Sequence, residues 1–356
     1  MRLQRYLLAE CLVLASAVLG ATLLTRTVLH VVRRGSLTEH LAQARPGTES
    51  WGLGRSQPWV PSPQVSQEAA GSFLGLEDDM LIARMRSQPV AKMKLNRGGS
   101  SLSFRVDLAD GSRAAFKPAQ TNLQTMPRKE VAAYRINRLL GLNAVAPATP
   151  RMLSRAEIFS HLHADTTPML SRIRTETIFD PRGNTAGVMM FWIPAIKDAG
   201  LDSAEGIATS TQWLTHGQPI PEEKHSLAAQ LSDLLVFDFL ISNPDRYSGG
   251  NLLTGEDGRR LYFMDNTMSF FIEPERSEKP RIALHRCQRF SQRLFQALDR
   301  ISEDGLSRLL SQASEGDYEI LTKAEIRAVV ARRDEAKAYV ADLVKSYGPQ
   351  EVFYFP

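Results

Sequence analysis

Asp238-Phe-Leu-Ile-Ser-Asn243-Pro244-Asp245-Arg246-Tyr-Ser-Gly-Gly-Asn251-Leu-Leu, followed by Leu261-Tyr-Phe-Met-Asp265-Asn266, decides the reading of this 356-residue chain. Residues 226–241 carry Leu227, Leu231, Leu234, Leu235 and Phe239 and predict a strongly apolar helix. That helix runs into Asn243-Pro244-Asp245, which taken alone is ordinary turn chemistry. Residues 252–253 and 260–264 flank a glycine-containing turn and predict a hairpin that ends at Asp265. Two carboxylates held close together repel each other, and a divalent cation between Asp245 and Asp265 would resolve that.

Upstream, residues 101–107 alternate, Asp110-Gly111 is a hairpin turn signal, and residues 113–117 return. Lys117 closes the returning strand in Ala115-Phe-Lys117-Pro118, where an ammonium among apolar neighbours needs a partner. Glu130, in the first turn of a helix predicted over residues 127–140 and stopped by Gly141, can supply it. An isolated strand-end lysine and helix-start glutamate would otherwise be surface features. Gly98 and Gly99, expected just before the first strand, would let backbone N–H groups approach phosphate oxygens; a plain surface turn explains them equally well. Residues 187–193 form an apolar run before Pro194 that suits a buried strand. Thr322 and Glu325 have capping-box spacing at the start of a helix predicted to about residue 346.

Phosphoryl transfer from ATP needs a cation on the phosphates, a loop over them, acidic or amide groups for a divalent metal, and a carboxylate for the attacking hydroxyl. Helix, loop Asp, Asn six residues later, strand, Asp is the order of a kinase catalytic loop and its metal-binding Asp. Residues 232–246 resemble the helix and catalytic loop of the four-jointed kinases and of the Golgi secretory-pathway kinases, a group of casein-kinase-like and xylosyl kinases. Tyr262-Phe-Met-Asp265-Asn266 is similar to their metal motif, and Ala115-Phe-Lys117-Pro118 with Gln120-Thr121 to their nucleotide-lysine strand. Glu130-Val-Ala-Ala-Tyr-Arg-Ile-Asn-Arg-Leu-Leu-Gly-Leu resembles the helix bearing the paired glutamate, and residues 187–194 fall at the interlobe strand.

The resemblance spans residues 95–300 in dispersed blocks. It implies an α+β, bilobal protein-kinase-like fold, with a small β-rich N-lobe and a larger helical C-lobe. It further implies an ATP-dependent phosphotransferase using Mg or Mn. Asp245 would be catalytic, Asp265 the principal metal ligand, Lys117 the phosphate lysine and Glu130 its partner. Arg246 and Asp238 would support the loop. Asn251 matches the metal-side Asn of the four-jointed proteins. The resemblance does not fix the acceptor, since the family includes protein and sugar kinases; a protein Ser/Thr hydroxyl is the first expectation. Alternatives are a glycan or phosphoinositide kinase, since Asn243-Pro244-Asp245-Arg246 also resembles phosphoinositide 4-kinase loops, and a non-catalytic membrane-tethered pseudokinase.

Composition is that of a globular protein, with 43% hydrophobic and 23% charged residues. The net charge of +4 is spread along the chain with no nucleic-acid-binding pattern, so no nucleic acid partner is expected. Cys11 and Cys287 are the two cysteines; Cys287 reads as a small buried apolar residue. Residues 1–34 hold a charge-free run from Cys11 to Thr25, extendable to Val32, and predict a single-pass membrane anchor helix, or else a cleaved signal segment. A flexible stem is expected over 35–71, the N-lobe over 72–194 and the C-lobe over 195–356. The family resemblance points to the Golgi lumen, whereas the distribution of positive charge and the scarcity of cysteine point to the cytoplasmic face. His161-Leu-His163-Ala-Asp165 is a poor zinc site, because two histidines two apart on a helix point to different sides.

Overall fold

In the computed structural model, which describes residues 71–97, 99–313 and 318–356, the alternating stretch near residue 104 becomes one strand of an antiparallel sheet. The predicted anchor, the predicted stem up to residue 70, and Gly98 lie outside the described residues. Among the described residues no helix is long and apolar enough to cross a membrane.

A short hairpin of β1 (Ser72–Phe73) and β2 (Leu76–Glu77) leads into α1 (Asp78–Ser87). Five strands follow: β3 (Val90–Leu95), β4 (Phe104–Leu108), β5 (Arg113–Pro118), β6 (Ala148–Ser154) and β7 (Asn184–Phe191). They pair in the order β3-β4-β5-β7-β6. In β4, Phe104, Val106 and Leu108 are buried while Arg105 and Asp107 are half-exposed, the period of two that a one-sided sheet requires. The strand expected from residue 101 begins at Phe104, because Leu102 is taken by a side-chain clamp described below.

β3 has no counterpart in the sequence reading. Its alternation of Lys92 and Lys94 with Met93 and Leu95 is brief, and a bulge between Val90 and Lys92 breaks the period. Gly99 therefore does not precede the first strand of this sheet. It lies in the connection between β3 and β4, whose facing ends are Leu95 and Phe104. Its φ of +76° is the left-handed conformation that glycine supplies without strain.

α2 (Arg128–Leu139) packs Val131, Ala132, Ala133 and Ile136 into the core. α3 (Arg155–Ser160) and α4 (Leu170–Glu176) connect β6 to β7. The histidine pair sits in the break after α3 rather than on a helix. His161 Nδ1 lies 2.7 Å from the Glu157 carbonyl, and Asp165 forms an ion pair with Lys94 at 2.7 Å.

Beyond the sheet, β8 (Ile196–Asp198) joins β9 (Leu252–Gly255) and β10 (Leu261–Phe263) in the order β10-β9-β8. Helices α5 (Ala204–Leu214) and α6 (His225–Ile241) lie between β8 and β9 in sequence. After β10 come α7 (Glu278–Leu284), α8 (Gln292–Ala297), α9 (Glu303–Ser311), α10 (Lys323–Tyr347) and α11 (Pro349–Val352). From Leu234 to its end every residue of α6 is buried, as its all-round hydrophobicity requires. Phe237 and Phe239 are fully enclosed, each worth roughly 1.5–3 kcal/mol relative to exposure. One continuous core joins the sheet, α2, α6 and α10. Cys287 is fully buried, its Sγ lies 3.1 Å from the Arg289 carbonyl, and burial pushes the thiol up to about 12, so it is chemically inert packing.

α10 opens with the expected capping box: Glu325 N–H donates to Thr322 Oγ1 (3.2 Å) and Thr322 N–H donates to Glu325 Oε2 (2.8 Å).

Candidate active site

α6 delivers the loop that carries Asp245. Ser242 caps the helix in a left-handed conformation (φ +51°), which turns the chain sharply, and its Oγ lies 2.8 Å from Ser277 Oγ. Asn243 Oδ1 then accepts from Asp245 N–H at 3.0 Å, a side-chain-closed turn. The Asp245 carbonyl accepts from Ser248 Oγ (2.7 Å), while Asn251 Nδ2 donates to Asp245 Oδ2 at 3.2 Å. Asp245 and Asn251 thus face each other across the turn that contains Gly249 and Gly250.

Arg246 joins this loop to the segment after β10. It is only 1% exposed and makes a two-armed pair with Asp238, Nε–Oδ2 at 2.9 Å and Nη2–Oδ1 at 3.0 Å. It also donates to Asn266 Oδ1 (2.9 Å), to the Asn251 carbonyl (3.1 Å) and to the Met264 carbonyl. Burial opposes the guanidinium charge, but the Asp238 carboxylate outweighs it and holds the Arg246 pKa above its ordinary value. Both neighbours of Asp265 in sequence are therefore fastened to the residue after Asp245.

Asp265 itself sits at φ +52°, a left-handed position that a short polar side chain tolerates better than most. Lys117 Nζ lies 2.8 Å from Asp265 Oδ1 and 2.8 Å from Glu130 Oε1. Thr267 Oγ1 donates to Asp265 Oδ1 at 2.9 Å. Burial works against the Lys117 ammonium, yet Asp265 and Glu130 together hold its pKa above the ordinary value. Burial likewise opposes the Asp265 carboxylate, and Lys117 and Thr267 outweigh it, keeping its pKa below the usual range.

The two carboxylates around Lys117 are not equivalent. Glu130 shows only 4% of its side chain to solvent, and its Oε2 already accepts from Asn266 N–H (3.1 Å) and Nδ2 (3.3 Å). Asp265 shows 40%. Both oxygens of Glu130 are thus engaged, Oε1 by Lys117 and Oε2 by Asn266.

Gly187 on β7 lies against Lys117. A Cβ there would come within 2.5 Å of the Phe116 ring and 2.7 Å of the Lys117 carbonyl, so the close approach of β7 to β5 requires glycine. The far limb of the Gly99 connection is clamped by Gln120, whose Oε1 accepts from Leu102 N–H (2.7 Å) and whose Nε2 donates to the Leu102 carbonyl (3.0 Å). Arg172 donates to the Ser100 carbonyl at 2.5 Å. Gly99 makes no hydrogen bond with Lys117, Glu130 or Asp265.

Asp245 Oδ1, Asn251 Oδ1 and Asp265 Oδ2 accept no hydrogen bond among the described residues. Asn243 Nδ2, in the same turn as Asp245, is buried with no partner. Among the described residues no three or more His, Cys, Asp or Glu side chains form a closed metal cage. The open oxygens of Asp265 and Asn251 are of the hard type that a magnesium-type cation takes alongside phosphate and water.

Sequence reasoning placed Asn266 in the metal motif without a role of its own and gave Thr267 none. The signal available was adjacency to Asp265, and Asn266 proves to bridge Glu130 and Arg246.

No protein-family model matches the sequence, and no curated protein matches it. Among solved structures, the chain is similar to the Golgi casein kinase with Mn/ADP bound, at TM-score 0.60 and 16% identity over 77% of this chain and 78% of that one. A second structure of the Golgi casein kinase matches at TM-score 0.57 and 16% identity over 78% of each chain. Hydra Fam20 with sugar matches at TM-score 0.55 and 16% identity over 76% of this chain and 90% of that one. The chain shares with these structures a mixed α/β, kinase-like fold.

Proposed function

We propose that this chain is an ATP-dependent phosphotransferase that uses Mn or Mg and passes the γ-phosphate to a hydroxyl, most simply a protein Ser/Thr. The observation that carries the reading is the placement of Lys117 between Glu130 and Asp265 at 2.8 Å from each. A buried lysine held by one enclosed carboxylate and one open one is set to exchange the open contact for phosphate oxygens. The likeness to a casein kinase with Mn/ADP bound supports the same nucleotide and metal.

Within this reading, Glu130 fixes Lys117, Asp265 and Asn251 supply oxygens to the metal, and the connection that carries Gly99 would close over the phosphates. Asp245 Oδ1 orients the acceptor hydroxyl and takes its proton, since Oδ2 is engaged by Asn251. Asp238 and Arg246 hold the loop. When bound, the divalent cation neutralises charge on the transferring phosphoryl group. The β-rich part through residue 194 would act as the smaller lobe and the helical remainder as the larger. Residues 1–34 would tether both to a membrane through a 35–71 stem. The Golgi likeness favours the secretory pathway, and protease protection of the tagged full-length chain in sealed vesicles tests the side.

Hydra Fam20 with sugar supports a second acceptor class, a glycan hydroxyl. A panel of casein-like peptides and glycans with labelled ATP and Mn²⁺ separates the two. Wild-type transfer that is lost in Asp265→Ala supports the proposal. Equal transfer by both proteins defeats it, and nucleotide binding with no transfer to any acceptor favours a pseudokinase.

A further inference from the structure

α2 begins two residues ahead of Glu130, at Arg128, and what holds that beginning is the first turn of α10. Arg128 Nη1 donates to Glu325 Oε2 and Nη2 to Glu325 Oε1, both at 2.8 Å, and Nη1 also reaches the Ile320 carbonyl at 2.6 Å. Lys129 is 3% exposed. Its Nζ lies 3.9 Å from Glu325 Oε1, sits 4.7 Å from the Phe271 ring centroid, and donates to the Ser269 carbonyl. Ser269 is three residues beyond Asn266, whose backbone N–H donates to Glu130. Consecutive residues of α2 therefore grip the segment after Asp265 at two points, and one α10 carboxylate stands behind both cations. Further along α10, Arg332 donates to the Phe271 carbonyl (2.9 Å) and to the Leu240 carbonyl at the end of α6 (2.8 Å).

We propose that α10 is a latch for the site, with Glu325 as the positioning residue: it fixes α2 through Arg128 and Lys129, and so sets where Glu130 and the 265–271 segment stand. This rests on the phosphotransferase reading. Glu325 also closes the capping box of its own helix, so a bland role as a helix-stabilising acid must be separated from the latch. The chemistry offers a way. Gln keeps an oxygen for the Thr322 N–H but removes the charge that Arg128 and Lys129 require, whereas Thr322→Ala removes the cap and leaves the ion pair. Misplacing a catalytic group by about 1 Å can cost on the order of a hundredfold in rate.

The test compares wild type, Glu325→Gln, Thr322→Ala and Arg128→Lys, each as the full chain. Hydrogen exchange at the Asn266 amide and binding of a fluorescent ADP analogue with Mn²⁺ are read alongside the melting temperature. The latch predicts at least tenfold faster Asn266 exchange and at least tenfold weaker nucleotide binding in Glu325→Gln. Thr322→Ala should lose melting temperature while leaving both readouts near wild type, and Arg128→Lys should lie between. A Glu325→Gln protein that melts lower but exchanges and binds like wild type overturns the proposal. If wild type binds no Mn-ADP, the phosphotransferase reading fails separately, and unchanged Asn266 exchange in Glu325→Gln still overturns the latch.

Discussion

Lys117 and Asp265, 148 residues apart in sequence, meet at 2.8 Å, and of the two carboxylates that hold the lysine only Asp265 opens towards solvent. The asymmetry separates what the two acids do. Asp265→Ala should lower ATP turnover by about a thousandfold or more, the scale of losing a positioned charge in phosphoryl transfer. It should cost only about 1–2 kcal/mol of stability, since the side chain removed is half-exposed while alanine fits a left-handed backbone position less well than aspartate. Glu130→Ala should lose turnover and stability together, because it leaves the Lys117 ammonium and the Asn266 amide without their enclosed acceptor. Steady-state turnover and thermal melting of the two variants side by side check the contrast.

Arg246 and Asp238 should behave as architecture. Breaking a buried, two-armed ion pair by removing one partner costs about 3–5 kcal/mol. Arg246→Met additionally frees the Asn251 and Met264 carbonyls and Asn266 Oδ1. Urea unfolding should show a loss of that size, and nucleotide binding should fall with it even at temperatures where the variant is folded.

How much of this was visible in sequence depends on whether the signal was local. The β4–β5 hairpin, α6 and the Thr322–Glu325 cap were legible because period and punctuation lie within a few residues. β6 was not: it is an edge strand carrying Pro150, and its pairing with β7 crosses thirty positions or more. β8 is three exposed residues with no pattern of their own. At the site, Lys117, Glu130, Asp245 and Asp265 stand in recognisable motifs. The Arg128–Glu325 pair, 197 positions apart, has no local signature, because either residue alone is an ordinary helix-start charge.

Gly187 offers a steric test of the strand that carries Lys117. An alanine Cβ would overlap the Phe116 ring and the Lys117 carbonyl, and backbone cannot swing aside as a side-chain tip can. β5 and β7 must then separate locally, moving Lys117 away from Asp265. Gly187→Ala should cost about 1–3 kcal/mol as an overpacked core site does. It should also weaken Mn-nucleotide binding, whereas Gly99→Ala, with open space around its Cβ, should weaken binding only through its left-handed φ. Melting curves and nucleotide titrations of both variants distinguish contact from conformation.

Asp233 on α6 should govern part of the pH dependence of stability. Its Oδ1 is closed off from solvent with no hydrogen-bond partner, and burial lifts its pKa from 3.8 to about 7, with Arg293 opposing only weakly. Between those two values the folded chain keeps a proton that the unfolded chain has released. Raising the pH through that window therefore lowers stability, and the cost is complete above pH 7. It amounts to a burden on the order of 4 kcal/mol. Asp233→Asn carries no such titration. Its melting temperature should match wild type near pH 4 and exceed it near pH 8 by several degrees, at roughly 2–4 °C per kcal/mol for a domain of this class. A difference between the two proteins that stays constant from pH 4 to pH 8 would mean that the carboxyl ionises normally in the fold, and that α6 opens to water at this turn.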